Sequence, residues 1–155
     1  METKTNKTNE KSSTTCSQIA LHISADPEYL CVVRLAVGQV GQVVGLKEDA
    51  GDLVVLAVDE ALANIIKHSY DGPCNKPIII KLNKLDNYSE SKPALEIVIR
   101  DFGKQVDPES IKGRDLEDVR PGGLGVHIIN SVIDEVKYSC ADDCGMELRL
   151  IKYLT

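Results

Sequence analysis

The sequence predicts an α+β domain, a two-layer sandwich whose mainly antiparallel or mixed sheet carries its helices on one face. Three observations lead there. The stretches PIIIKLNKL (77–85) and ALEIVIR (94–100) are rich in Ile, Leu and Val and are bounded by polar or Pro-containing segments, as strands are. Apolar residues recur at steps of three and four after Asp26 and again before His68, as on helices. Strands come in consecutive pairs with the helices in separate blocks, which argues for antiparallel pairing and against Rossmann-type alternation.

Taken in order, residues 1–15 (METKTNKTNEKSSTT) hold almost no apolar side chain, so a disordered arm is expected there and the folded domain over 16–155. QIALHI (18–23) alternates enough for a first strand. SADPEYL then signals a helix start, with Asp26 as cap and Pro27 at the first helical position. Leu30, Val33, Val37, Val40 and Val44 make its apolar stripe. Gly38, Gly41 and Gly45 lie in the same helix, each costing up to about 1 kcal/mol relative to alanine. They read equally well as close approach by a sheet or second subunit and as a weak, kinked helix. KEDAG (47–51) is a break, and a second helix runs from about Leu53 to His68. The two strands at 77–85 and 94–100 are joined by a polar loop, DNYSESKP. Residues 102–121 are too polar for a core element and read as a long loop with one short helical turn. GGLGVHIINSVIDEV (122–136) is glycine-rich and then helical, and KYSC and MELRLIKYL form a last strand pair around ADDCG.

Composition narrows the function. The chain has 155 residues, 43% apolar and 27% charged, with a net charge of −6. One domain of ordinary globular character is expected. Without clustered Lys and Arg an acidic chain is a poor nucleic-acid or anionic-membrane binder, although one small phosphate pocket can still be locally positive. Arg34, Gln39, Asp59 and Glu60 interrupt the apolar runs, so no bilayer span is expected, and the N-terminus has no secretory hydrophobic region. Five cysteines without a C-x-x-C pair point to a reduced, cytoplasmic setting rather than a disulfide framework. Cys140 and Cys144 could share a metal with His127 or His68, but small buried residues near a turn are the preferred reading.

Three segments carry chemistry. On the second helix Val54, Val55, Val58, Leu62 and Ile65 cover one side, and Leu53, Leu56 and Ala57 cover much of the other, which also bears Glu60, Asn64 and Lys67. A helix apolar nearly all round is expected to be buried, its polar strip lining a cavity. A carboxylate there needs an ion-pair partner, a metal or a ligand. In the strand, Leu95, Ile97 and Ile99 share one face and Asp101 continues it, so a carboxylate emerges on the core side just before Gly103. It could accept a hydrogen bond from an amino group such as adenine N6, with Gly103 letting a ring approach the backbone. Finally, PGGLG (121–125) opens a helix, where exposed amides can cradle phosphate oxygens, though the pattern is not a P-loop.

In that order, E-x-x-x-N on a helix, D-x-G after a strand and G-G-x-G before a helix resemble the GHKL (histidine-kinase-like) ATPase superfamily. VDEALANIIKHSY and GGLGVHIINSVIDEVKY are most similar to boxes of the bacterial anti-sigma-factor serine/threonine protein kinases, and the resemblance spans roughly residues 18–153. It implies ATP and Mg²⁺ as cofactors. Asn64 would give its amide oxygen to the metal and Lys67 would approach the phosphates. Asp101 would hold the adenine amino group with Gly103 making room for the base. Gly122, Gly123, Leu124 and Gly125 would form the glycine-rich lid contact. Glu60 would orient or deprotonate a hydroxyl nucleophile. The family often shows D-x-G-x-G, whereas this chain has DFGKQ, without the second glycine. Lys112, Arg114 and Arg120 are further phosphate candidates, set against ordinary solvated loop charges, and His68 reads as packing or second-sphere.

The resemblance implies a kinase that phosphorylates a small antagonist (anti-anti-sigma, STAS-type) protein, alternately sequesters a sigma factor and works as a homodimer, while the charge and apolar pattern predict neither a direct nucleic-acid nor a membrane partner. A non-catalytic ATP-binding module that grips a protein partner is the alternative, and a detached histidine-kinase catalytic domain a third reading. Glu60 favours the first, since a pure binder has no need of it.

Overall fold

The structure, a computed structural model, describes residues 18–111 and 123–154. The expected N-terminal arm and Lys112, Arg114, Arg120 and Gly122 lie outside the described residues.

The first strand, β1 (Ile19–Ser24), runs into a 3₁₀ turn, Pro27–Tyr29, capped as expected: the Asp26 carboxylate accepts from the Glu28 N–H at 2.9 Å. Helix α1 (Leu30–Val44) follows, with Leu30, Val33 and Val37 buried and Val40 and Val44 packed on the same core. Neither Gly38 nor Gly41 marks an unusually close approach, since a methyl at either would meet its neighbour at ordinary contact distance. A Cβ on Gly38 would lie 3.5 Å from Val55, and one on Gly41 would lie 3.4 Å from Leu46. Gly45 has left the helix and caps it in the left-handed region, φ 101°.

Helix α2 spans Glu48–Asn64 and continues as a π-helical turn, Ile65–Ser69. It therefore starts inside the KEDAG segment read as a break. Glu48 and Asp49 fall in its first turn, where negative charge suits the helix dipole. The strands β2 (Pro77–Ser89) and β3 (Lys92–Arg100) form a longer hairpin than expected. Most of the stretch read as a loop is strand, and the reversal is confined to Glu90 and Ser91, both at positive φ. After β3 comes irregular chain with a 3₁₀ turn at Pro108–Ser110. Helix α3 (Gly125–Val132) ends earlier than expected, because Glu135 already belongs to β4 (Glu135–Cys140), which turns at Gly145 (φ 70°) into β5 (Met146–Tyr153).

The sheet order is β1-β2-β3-β5-β4, with every neighbouring pair antiparallel. Ile78, Ile80 and Leu82 of β2, Leu95, Ile97 and Ile99 of β3, and Leu148 and Leu150 of β5 are buried together under the helices. This is the two-layer α+β arrangement with helices on one face. The uncovered face is polar and bonded across strands. Asn83 donates to Glu96, Arg149 donates to both Glu96 and Tyr88, and Tyr88 and Tyr153 both donate to Glu135.

One expectation about α2 needs correcting. Val54, Ala57, Val58, Ala61 and Leu62 are buried, but Leu53 and Leu56 are 49% and 43% exposed. In two layers a helix can bury one side on the sheet and its flanks on neighbouring helices, and its outer side stays in water. Among the described residues, no helix is long and apolar enough to cross a membrane.

Candidate functional site

Where α2 passes into its π-helical turn, the sheet and α3 enclose a cavity of about 400 Å³. Asn64 and Lys67 reach it from α2 and its turn, and Asp101 from the end of β3. Gly123 and Gly125 close it from the start of α3, and Met146 and Leu148 of β5 with Tyr138 of β4 supply much of its apolar floor. Five of the residues singled out in the sequence thus line one cavity although they come from three separate segments.

The others are placed nearby. Glu60 stands one turn before Asn64 and does not itself line the cavity, but its carboxylate meets α3. A Cβ on Gly125 would sit 2.7 Å from Glu60 Oε2 and 3.3 Å from Asn64 Nδ2. The first would oblige the end of the Glu60 side chain to move and the second would press Asn64 by a few tenths of an ångström, so glycine lets both side chains lie against the start of α3. Leu124 is 56% exposed, beside the cavity rather than in it. Gly103 is crowded by backbone: a Cβ there would run into the carbonyl of Ser69. Its missing side chain is therefore needed for contact with the π-helical turn. His68, read as packing or second-sphere, is an exposed residue on the cavity wall, so the packing alternative does not hold.

Asp101 is the electrostatic centre of the site. Its residue is 2% exposed, and burial pushes its carboxyl above the ordinary carboxylate value. Hydrogen bonds from the backbone of Gly103 and Met146 oppose that, as do the Arg100 charge and the Ser69 hydroxyl. The Gly103 N–H reaches Asp101 Oδ1 at 2.9 Å. Gly145, in the β4–β5 turn, lies against the backbone of Asp101 and Phe102 and also has no room for a side chain. Arg100 ties this corner from the uncovered face, donating to the Asp101 carbonyl and to Asp143.

Sequence reasoning missed Ser69, Tyr70 and the floor residues. Ser69 and Tyr70 stand in the motif itself, VDEALANIIKHSY, but what they touch depends on a π-helical turn that leaves no periodicity signal. Tyr138, Met146 and Leu148 could have been found from the alternation of the last two strands.

A five-stranded antiparallel sheet of this order, covered by helices on one face with a cavity beneath them, defines a two-layer α+β class of domain. The chain belongs to the histidine kinase-like ATPase (GHKL) family, whose domain profile matches residues 23–152. Within that family it is similar to serine-protein kinases. It is 30% identical over 145 residues to serine-protein kinase RsbW of Listeria monocytogenes serotype 4a (strain HCC23), covering 88% of this chain and 87% of that one. Serine-protein kinase RsbW of Bacillus velezensis (strain DSM 23117 / BGSC 10A6 / LMG 26770 / FZB42) is 28% identical over 151 residues, covering 92% and 89%. Among solved structures, the histidine kinase domain from the Erythrobacter litoralis EL346 blue-light activated histidine kinase superposes with a TM-score of 0.51 at 15% identity. That superposition covers 82% of this chain and 60% of the other, and it speaks for the fold alone.

Proposed function

We propose that this chain is an ATP-dependent serine/threonine protein kinase that acts as an anti-sigma factor by partner switching in the cytoplasm. Its substrate would be a hydroxyl side chain on a small anti-anti-sigma protein of STAS type, and its other partner a sigma factor. The working unit would be a homodimer.

The observation that carries this reading is the meeting of Glu60, Asn64 and Gly125 at the mouth of a cavity with a buried carboxylate, Asp101, in its wall. The cavity suits an adenine nucleotide: its floor is apolar, and Asp101 offers an acceptor for an exocyclic amino group. Asn64 presents an amide at the wall as a ligand for Mg²⁺, a hard cation that prefers oxygen donors. When bound, the metal neutralises charge on the phosphates. Lys67, exposed at the rim, adds positive charge on the same side, and Gly123 and Gly125 line the cavity, where their backbone N–H groups would donate to phosphate oxygens.

The chemistry asked of the chain is then small. The substrate hydroxyl oxygen forms a bond to the γ-phosphorus, the bond to the ADP oxygen breaks, and the hydroxyl proton passes to the Glu60 carboxylate. Transfers of this kind need positioning and charge neutralisation more than covalent help, so one base on the metal ligand's own helix, a turn before it, suffices.

The test is transfer of label from radiolabelled ATP with Mg²⁺ to candidate antagonist proteins, comparing wild type with Glu60→Gln. Label on serine or threonine that drops by about 10²- to 10⁴-fold in the variant supports the reading. Nucleotide binding with no transfer in the wild type would make the chain a non-catalytic binding module, and acid-labile label on histidine would make it a detached histidine-kinase catalytic domain.

A further inference from the structure

The β2–β3 ladder ends in an unusual way. Its register pairs Ile79 with Arg100, so two residues further on Pro77 would lie opposite Phe102, and a rung from the Phe102 N–H to the Pro77 carbonyl would be the next to form. It is replaced by a side chain. The Tyr70 hydroxyl accepts from the Phe102 N–H at 2.8 Å and donates to the Pro77 carbonyl at 2.6 Å. One phenol oxygen is inserted between two strand ends and satisfies both backbone groups. The strands are held apart at the point where Asp101 and Gly103 leave the sheet for the cavity.

Tyr70 directly follows the π-helical turn, and that turn grips the same loop a second time. The Lys104 N–H donates to the Ser69 carbonyl at 3.3 Å, and Gly103 lies flat against that peptide. Burial raises the Tyr70 phenol above its ordinary value, so it stays a neutral donor and acceptor at any physiological pH. The loop segment 101–104 is therefore held at its Phe102 and Lys104 N–H groups by two consecutive residues, Tyr70 and Ser69, at the end of the turn that begins next to Asn64.

We propose that Tyr70 is a positioning residue for base recognition, its hydroxyl acting as a spacer in the β2–β3 ladder that sets where the Asp101 carboxylate stands in the cavity wall. This rests on the reading of the cavity as an adenine nucleotide site. Without the hydroxyl, Phe102 and Pro77 either pair directly, which draws the loop toward β2, or take water in its place, since the Pro77 carbonyl is exposed, which frees the loop from the turn. Either way the carboxylate shifts. An acceptor aimed at the adenine amino group should then lose its power to reject guanine, which presents a carbonyl at the corresponding position.

The experiment compares the affinities of wild type and Tyr70→Phe for Mg-ATP and Mg-GTP by calorimetry on the full chain, with thermal melts alongside. Wild type should prefer ATP, and Tyr70→Phe should reduce that preference by about tenfold. The ratio of two affinities measured on one preparation is unaffected by a fraction of unfolded chain, so a merely stabilising role for the phenol would lower the melting temperature and leave the ratio alone. A Tyr70→Phe protein with the wild-type ATP-to-GTP ratio overturns the proposal while leaving the nucleotide site standing. Wild-type protein that binds neither nucleotide overturns both.

Discussion

Glu60 and Gly125 are in contact across two helices: a methyl group on Gly125 would fall 2.7 Å from the Glu60 carboxylate oxygen. The helix carrying the proposed base and the helix opening from the glycine-rich segment are therefore fitted to each other before any ligand arrives. The same contact reaches Asn64, one helical turn on, so two proposed functional side chains are seated by a single missing Cβ.

Gly125→Ala is accordingly expected to act on function more than on folding. The added methyl must push the end of the Glu60 side chain aside, at a stability cost of at most about 1 kcal/mol that urea denaturation would report. Phosphotransfer should fall well beyond what that loss of stability explains, since displacements of about 1 Å at a reacting centre can cost on the order of 100-fold. A variant with wild-type transfer rates would show that the contact has no part in catalysis.

Asn64→Ala removes the amide proposed as metal ligand. Asn64 is only partly buried, so unfolding free energy should change by less than about 0.5 kcal/mol. ATP affinity in the presence of Mg²⁺ should fall by more than about 10-fold, while affinity in excess chelator, already weak, stays where it was. Calorimetry under both conditions separates the two effects, and an unaltered Mg²⁺ dependence would remove Asn64 from the metal site.

Asp101 supplies a pH signature. Burial raises its carboxyl above the ordinary value of 3.8, so the folded state holds the proton more tightly than the unfolded chain does. Its favourable contribution is complete below that ordinary value and is lost as pH rises through the raised folded value. The difference in unfolding free energy between wild type and Asp101→Asn should thus be level at low pH, decline with rising pH across that window, and level off again above it. Denaturation series across acidic pH would show this; a difference that grows with pH would mean the carboxylate is held below its ordinary value. The same variant should bind ATP more weakly at neutral pH, since one acceptor oxygen becomes a donor that faces the adenine amino group.

Much of this architecture could be read in the residues. The period-two run Leu95, Ile97, Ile99, Asp101 is buried throughout and delivers its carboxylate to the cavity, and the Asp26 cap sits where its proline neighbour suggested. What escaped reading was set by contacts between distant segments. Gly51 and the acids around it looked like an interruption, yet in context they make the first turn of α2, where the acids match the helix dipole. The polar tip of the β2–β3 hairpin looked like loop because its side chains face water and the uncovered sheet surface; Tyr88 and its partners bond across strands there. Leu53 and Leu56 looked buried because periodicity reports which side of a helix is apolar, while exposure depends on what lies outside it. The Tyr70 spacer had no local signature, since it is defined by a strand register and a π-helical turn at once.

The cross-strand lattice on the uncovered face bears on how this chain can vary. Arg149 serves Glu96 and Tyr88 together, and Glu135 receives both Tyr88 and Tyr153. Exchanging any one of these residues strands the groups it was serving, so its effect depends on who its neighbours are. Substitutions there should show strong epistasis and travel through a lineage as linked sets, unlike the independent drift expected of an ordinary wet surface.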